Sequence, residues 1–234
     1  MSISSNIAAI RERIHAAARR AGRSPDEVSM MAVTKTHPPE TIREAYEAGL
    51  CLFGENRVQE FAGKASALSD LTNSEWHMIG HLQSNKAAKA TELFREIDSV
   101  DSLKLADRLN AAALGLKKTL PVLIEINVGG EAAKSGVPMD SSELEQLLQA
   151  APRLDALEFR GLMTVPPYTE DPEDARPFFR KLRQVRDAIA AKKLPSICMD
   201  VLSMGMSHDF EIAIEEGSTC VRVGTAIFGD RENA

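Results

Sequence analysis

Val28-Ser29-Met30-Met31-Ala32-Val33-Thr34-Lys35-Thr36-His37-Pro38-Pro39 holds an apolar run, a lysine and a turn, in that order. The run reads as a short buried strand. Pro38-Pro39 then opens a helix over residues 41–48, because proline suits a first helical turn. Lys35 stands at the strand's end. A snorkelling lysine is ordinary there, but a desolvated amine in that place can also lose its proton and attack an aldehyde.

The same beat of apolar run, polar turn and helical period recurs along the chain. Strands are expected at 28–35, 50–55, 75–79, 96–100, 121–128, 159–165, 199–203 and 220–228. Helical periods lie between them: 103–114 behind Asp101-Ser102, a segment led by a capping box of Ser142 and Glu145, then 177–191 and 210–216. Strands alternating with helices predict a parallel α/β sheet, and eight strands close a (β/α)8 barrel of the TIM type. The 234 residues suit that fold, whose span runs upward from roughly 200. An open doubly wound sheet is the rival, and its Gly-x-Gly-x-x-Gly signature is missing. No composition shift or Gly/Ser linker divides the chain, so 1–234 is expected to be one domain. Ile3, Ile7, Ile10 and Ile14 recur at helical spacing, which makes 1–22 an N-terminal helix packed on the barrel rather than a transit peptide.

Composition narrows the function. A hydrophobic content of 44% suits a sizeable core, and a net charge of −6 argues against nucleic acid as a partner. Arg19, Arg20 and Arg23, and Lys192-Lys193, fall at helix ends, where cations offset the dipole. No apolar stretch is long enough to span a bilayer. Cys51, Cys198 and Cys220 are scattered in or beside apolar runs without metal-ligand spacing. They read as thiols in a reducing compartment, the cytoplasm, and no metal site is expected.

In a barrel the chemistry gathers at the C-terminal strand ends. Those ends are Lys35, Asn56, Gly80-His81, Asp101, Asn127, Thr164, Ser203 and Gly224-Thr225. Ser203-Met204-Gly205-Met206-Ser207 and Gly224-Thr225 offer glycine backbone and hydroxyls where barrels often build a phosphate cup, although ordinary turns use the same residues. Strand alternation puts Cys220, Arg222 and Gly224 on one face, so Arg222 needs an acceptor inside the barrel mouth. A reactive lysine, an anion cup and an inward arginine together suit pyridoxal 5′-phosphate (PLP). Its aldehyde would join Lys35 as a Schiff base, its phosphate would sit in the cup, and its ring nitrogen would face Arg222.

The sequence also resembles a known family. The matching stretches are 32–36, Phe53-Gly54-Glu55-Asn56 with Val58-Gln59-Glu60, residues 76–86, Lys134-Ser135-Gly136, Gly161-Leu162-Met163, 203–207 and 221–229. Together they are similar to the pyridoxal phosphate homeostasis proteins, which resemble the N-terminal barrel of alanine racemase. The resemblance implies that Lys35 is the Schiff-base lysine and that Arg222 faces the pyridine nitrogen. It implies that Ser203, Gly205, Ser207, Gly224 and Thr225 surround the phosphate, with Asn56 and Met163 lining the ring and His77 beneath it. His37 stands where several relatives carry a second basic residue.

A racemase needs a second base, and alanine racemase takes a tyrosine from a separate domain. Here Tyr46 falls in a helical period and Tyr168 in the Pro166-Pro167 loop. An arginine at the pyridine nitrogen also weakens the cofactor as an electron sink. The expected function is therefore a PLP carrier that buffers or delivers the cofactor, with Lys134 as a possible second amine in transfer or simply a solvated lysine. Transient contacts with PLP-dependent apoenzymes are expected. Without a heptad seam or large apolar stripe, so is a monomer. The alternatives are a PLP-dependent racemase or lyase, and a class I aldolase-like barrel using Lys35 on a sugar phosphate.

Overall fold

Eight parallel strands run around a closed ring: β1 (Ser29–Val33), β2 (Leu52–Glu55), β3 (Glu75–Met78), β4 (Glu96–Val100), β5 (Leu120–Asn127), β6 (Leu157–Met163), β7 (Ile197–Met206) and β8 (Cys220–Val223). This is a computed structural model and describes residues 2–131 and 135–229. Lys134 lies outside the described residues. Each strand pairs with the next in sequence, and β8 returns to β1 with Ser29 opposite Cys220 and Ala32 opposite Val223. The result is the (β/α)8 barrel that the strand rhythm predicts. β5 is buried at every position but its last, as a strand covered by barrel side chains within and helices without must be.

The outer layer comprises α1 (Ile3–Arg20), α2 (Pro39–Glu47), α3 (Val58–Lys64), α4 (Ala87–Leu93), α5 (Leu103–Gly115), α6 (Ser142–Ala150), α7 (Arg176–Ala191), α8 (Phe210–Glu215) and α9 (Thr225–Phe228). Ser2 caps α1, its hydroxyl accepting from the Ser5 N–H at 3.2 Å. The apolar stripe of α1 buries Ile7, Ile10 and Ile14 and lies across α8 and α9. The Asn6 amide donates to the Ile227 carbonyl at 2.9 Å, while Arg13 pairs with Glu211 and Arg20 with Glu215. Among the described residues, no helix is long and apolar enough to cross a membrane.

Several details differ from the sequence reading, among them β7, which runs on to Met206 instead of ending at Ser203. The eighth strand stops at Val223 instead of running to 228, because the chain leaves extended geometry at Gly224 (φ −117°, ψ −80°) and winds into α9. The cap of α6 is Ser141, whose hydroxyl accepts from the Leu144 N–H at 3.3 Å. It lies one residue before the expected Ser142. Helices α3 and α4 had no strong apolar period to announce them. α3 buries Val58, Phe61 and Lys64, and α4 buries Ala87, Ala90 and Thr91. A buried lysine and small residues hide the stripe on which periodicity depends.

Candidate functional site

Lys35 sits just beyond β1, between two fixed neighbours. The buried Thr34 hydroxyl donates to Glu55 Oε1 at 2.6 Å. The Thr36 N–H, at a left-handed φ of 69°, donates to Glu60 Oε1 at 2.5 Å. Lys64, almost fully buried on α3, ties these together: its Nζ is 2.7 Å from Glu55 Oε1, 3.2 Å from Glu60 Oε1 and 3.0 Å from the Thr34 carbonyl. Burial pushes the Glu55 carboxyl upward, with Lys64 and Thr34 opposing it. Burial also acts upward on Glu60, but the Thr36 amide and Lys64 hold it below its ordinary range. The clamp fixes the backbone on both sides of Lys35. Nothing in the sequence spacing revealed Lys64, although Glu55 and Glu60 lie within the family-like stretches.

Facing Lys35, β7 and β8 supply the other wall. Arg222 is 3% exposed; its Nη1 donates to Ser203 Oγ at 2.8 Å and its Nη2 to the Thr164 carbonyl at 2.6 Å. Burial pulls this guanidinium below its usual range, while anionic neighbours including Asp98, Asp209 and Glu125 act the other way. The Ser207 hydroxyl accepts from the N–H groups of Gly224 (3.1 Å) and Ala226 (3.3 Å). A serine after β7 is thereby pinned to the amides that begin α9. Gly205 has φ 93°, and a Cβ on it would stand 2.5 Å from the Ala213 Cβ. The end of β7 can therefore press on α8 only with glycine there.

These groups enclose a cavity of about 320 Å³ bordered by Lys35, Asn56, Ser207, Arg222, Gly224 and Thr225, with Val33, Ile79, Val165, Met206 and His208 completing the wall. Six of the ten expected cofactor residues thus converge from β1, β2, β7, β8 and the loops that follow. Four do not border it. Ser203 lies inside β7, beneath Arg222, and accepts its hydrogen bond. Met163 is fully buried at the end of β6, and Gly205 shapes the loop from behind. His77 belongs to the opposite mouth, beside Glu96 and Asp98. It shares a strand face with Ile79 but sits two residues, roughly 6–7 Å, deeper. His77 therefore borders the cavity at the opposite mouth and not the Lys35 cavity itself.

Chemically, the cavity offers an amine for a carbonyl, hydroxyls and amides for an anion, and a guanidinium for a lone pair. Fold and site define a class: barrels built like the first domain of alanine racemase. The family model described as "Alanine racemase, N-terminal domain" matches residues 5–232. Among curated relatives, the pyridoxal phosphate homeostasis protein of Aquifex aeolicus (strain VF5) is 46% identical over 232 residues, covering 99% of this chain and 100% of its own. The solved structure of PipY from Synechococcus elongatus PCC7942 with PLP bound is 37% identical, with a TM-score of 0.83 over 97% of this chain and 100% of that one. The alanine racemase of Streptomyces coelicolor A3(2), at 19% identity and a TM-score of 0.71, shares the fold over 96% of this chain and 58% of its own. The chain belongs to the pyridoxal phosphate homeostasis protein family.

Proposed function

We propose that this chain binds pyridoxal 5′-phosphate in the Lys35 cavity and holds it reversibly, buffering or delivering it rather than turning over an amino acid. The observation that carries the reading is convergence: an amine, a guanidinium and a rim of hydroxyls and amides share one cavity of about 320 Å³. That volume falls at the small end of pockets that take small ligands. The cofactor, when bound, supplies an aldehyde conjugated to a pyridine ring. Lys35 would be the amine that holds that aldehyde. Ser207, Thr225 and the amides of Gly224 and Ala226 would hold the phosphate, whose oxygens would replace Ser207 Oγ as the acceptor of those two amides. Arg222, held by Ser203 and Thr164, would meet the ring nitrogen, and Asn56 would line the ring. Met163, Ser203 and Gly205 support these groups from behind. The names of the relatives and the PLP-bound neighbour support the same assignment.

In this reading residues 1–234 act as one cofactor-binding domain, a cytoplasmic monomer in transient contact with PLP-dependent apoenzymes. The free thiols of Cys51, Cys198 and Cys220 support a reducing compartment. The experiment is an absorption spectrum of purified protein, before and after Lys35→Ala. A yellow imine band that borohydride fixes to Lys35, and that the variant loses with most of its cofactor, is the expected result. A colourless protein whose lysine instead traps a keto-sugar phosphate would replace the carrier with an aldolase.

One observation favours a racemase-like alternative enough to test. His208 borders the cavity, its Nε2 lies 3.1 Å from the Glu170 carbonyl, and its ring stacks on exposed Tyr168 at 5.6 Å. The His208 imidazole would then be the second proton carrier a racemase needs. Loaded protein incubated with L- and D-alanine in deuterated water is expected to leave the α-proton unexchanged. Rapid uptake that His208→Ala abolishes would establish an enzyme.

A further inference from the structure

The barrel has a second chemical centre, at the mouth opposite Lys35. β3 and β4 pair there with His77 opposite Glu96, and Glu96 and Asp98 share a strand face because they are two residues apart. Sheet register therefore fixes all three side chains inward, as loop residues would not be fixed. His77 is 8% exposed, Glu96 4% and Asp98 1%. Nδ1 of His77 lies 3.1 Å from Asp98 Oδ1. Nε2 is buried with no hydrogen-bond partner among the described residues, and the nearest Glu96 oxygen is 3.9 Å away. A buried ring nitrogen left in that state costs stability unless something else engages it.

We propose that His77, Glu96 and Asp98 form a binding site for one divalent first-row transition-metal ion. Each residue offers a ligand atom, and these atoms lie within 4.8 Å of one another. Donors on a common ion at about 2.1 Å stand roughly 3.0–3.5 Å apart, so modest side-chain rotation completes the set. A cavity of about 490 Å³ adjoins them, opening past Ser29, Leu52 and Thr219. It gives the ion an entry path and room for waters to fill the remaining positions. Its border carries the carboxylates of Glu27, Glu75 and Asp200 besides the two ligands, against one cation, Arg160. Arg160 lies 3.4 Å from Glu96 Oε2 but is 43% exposed, so it can withdraw into solvent.

The charge balance inside points the same way. Glu96 and Asp98 set two carboxylates on one buried strand face, where their mutual repulsion is poorly screened by water. An ion relieves their repulsion and takes the lone pair of Nε2 in one step. One imidazole with two carboxylates suits Mn²⁺, Fe²⁺, Co²⁺ or Zn²⁺, and is too nitrogenous for a calcium cage. Cys220 borders the same cavity with its thiol pushed by burial up to about 12. Mn²⁺, with little taste for thiols, is therefore the cleaner probe.

The test is titration of the full chelator-treated protein with Mn²⁺, reading the paramagnetic resonance of the free aqua ion. One equivalent should be bound, and His77→Gln and Asp98→Asn should each weaken binding at least tenfold while retaining native circular dichroism. Should either variant fail to fold, Glu96→Gln decides, since its amide mimics the neutral carboxyl and it too should bind at least tenfold more weakly. Lys35→Ala should bind the ion as wild type does, which separates this site from the cofactor cavity. If wild type leaves millimolar Mn²⁺ free, or if folded variants bind it equally well, the cluster is a proton-sharing structural group and the proposal fails.

Discussion

At the scale of single residues, Lys35 matters because of what holds its neighbours. The Glu55–Lys64 pair is almost fully out of water, with the two side chains 0% and 8% exposed. Removing one member of such a pair leaves the other as an uncompensated buried charge, a loss of about 3 kcal/mol. Lys64→Met should therefore lower stability by about that amount in urea unfolding. Adding Glu55→Leu should recover most of it, because an apolar pair no longer carries a desolvated carboxylate. If the double variant is no better than the single, the carboxylate has a further role, and the Thr34 hydroxyl it receives is the place to look. Lys35 was legible in sequence because a lysine after an apolar run contradicts its surroundings. Lys64 was not, since a lysine in a helical stretch is ordinarily solvated and only the fold turns it inward.

At the scale of elements, helix α8 carries the Ser207 loop and is held from outside by α7. Glu216, just past α8, is nearly buried and receives Arg176 at 3.2 Å, Arg180 at 2.9 Å and Arg183 at 3.3 Å. Burial acts to raise its carboxyl, but hydrogen bonds from Arg180 and Arg176, with the charges of Arg180 and Arg183, hold it below the ordinary 4.5. A depressed folded pKa means that this stabilisation is complete above 4.5 and fades as pH falls through the folded value. Glu216→Gln should cost about 2 kcal/mol at pH 7, given that the arginines are partly exposed. Its melting temperature should converge on that of wild type as pH drops below 4.5. A gap that stays constant with pH would mean that shape, not charge, joins α7 to α8. The strands of this layer were readable from apolar runs that tertiary contacts only reinforce. The turn into α9 was not, because Thr225-Ala226-Ile227-Phe228 suits strand or helix equally and the choice falls to Gly224 and the Ser207 hydroxyl.

At the scale of the molecule, α1 joins the start of the chain to its last elements. Its stripe covers α8 and α9, and Asn6 holds the Ile227 carbonyl at 2.9 Å. Those two helices flank the serine and amides of the cavity rim, so the first helix backs two elements of a site to which it contributes no side chain. Ile10, 3% exposed at the centre of that stripe, is the residue through which to probe the brace. Ile10→Ala removes buried methyl groups and leaves a cavity, at a cost of about 3 kcal/mol. If α1 is only a hydrophobic cover, the loss should appear in global unfolding alone. If it braces the rim, amide exchange at Ala226 and Phe228 should accelerate more than at β5, whose hydrogen bonds lie far from α1. Local opening of that kind draws on contacts specific to one part of the structure. Cofactor should then leave Ile10→Ala faster than wild type under conditions where both remain folded. Equal exchange at α9 in the two proteins, with a lowered melting temperature, would reduce α1 to a lid on the core.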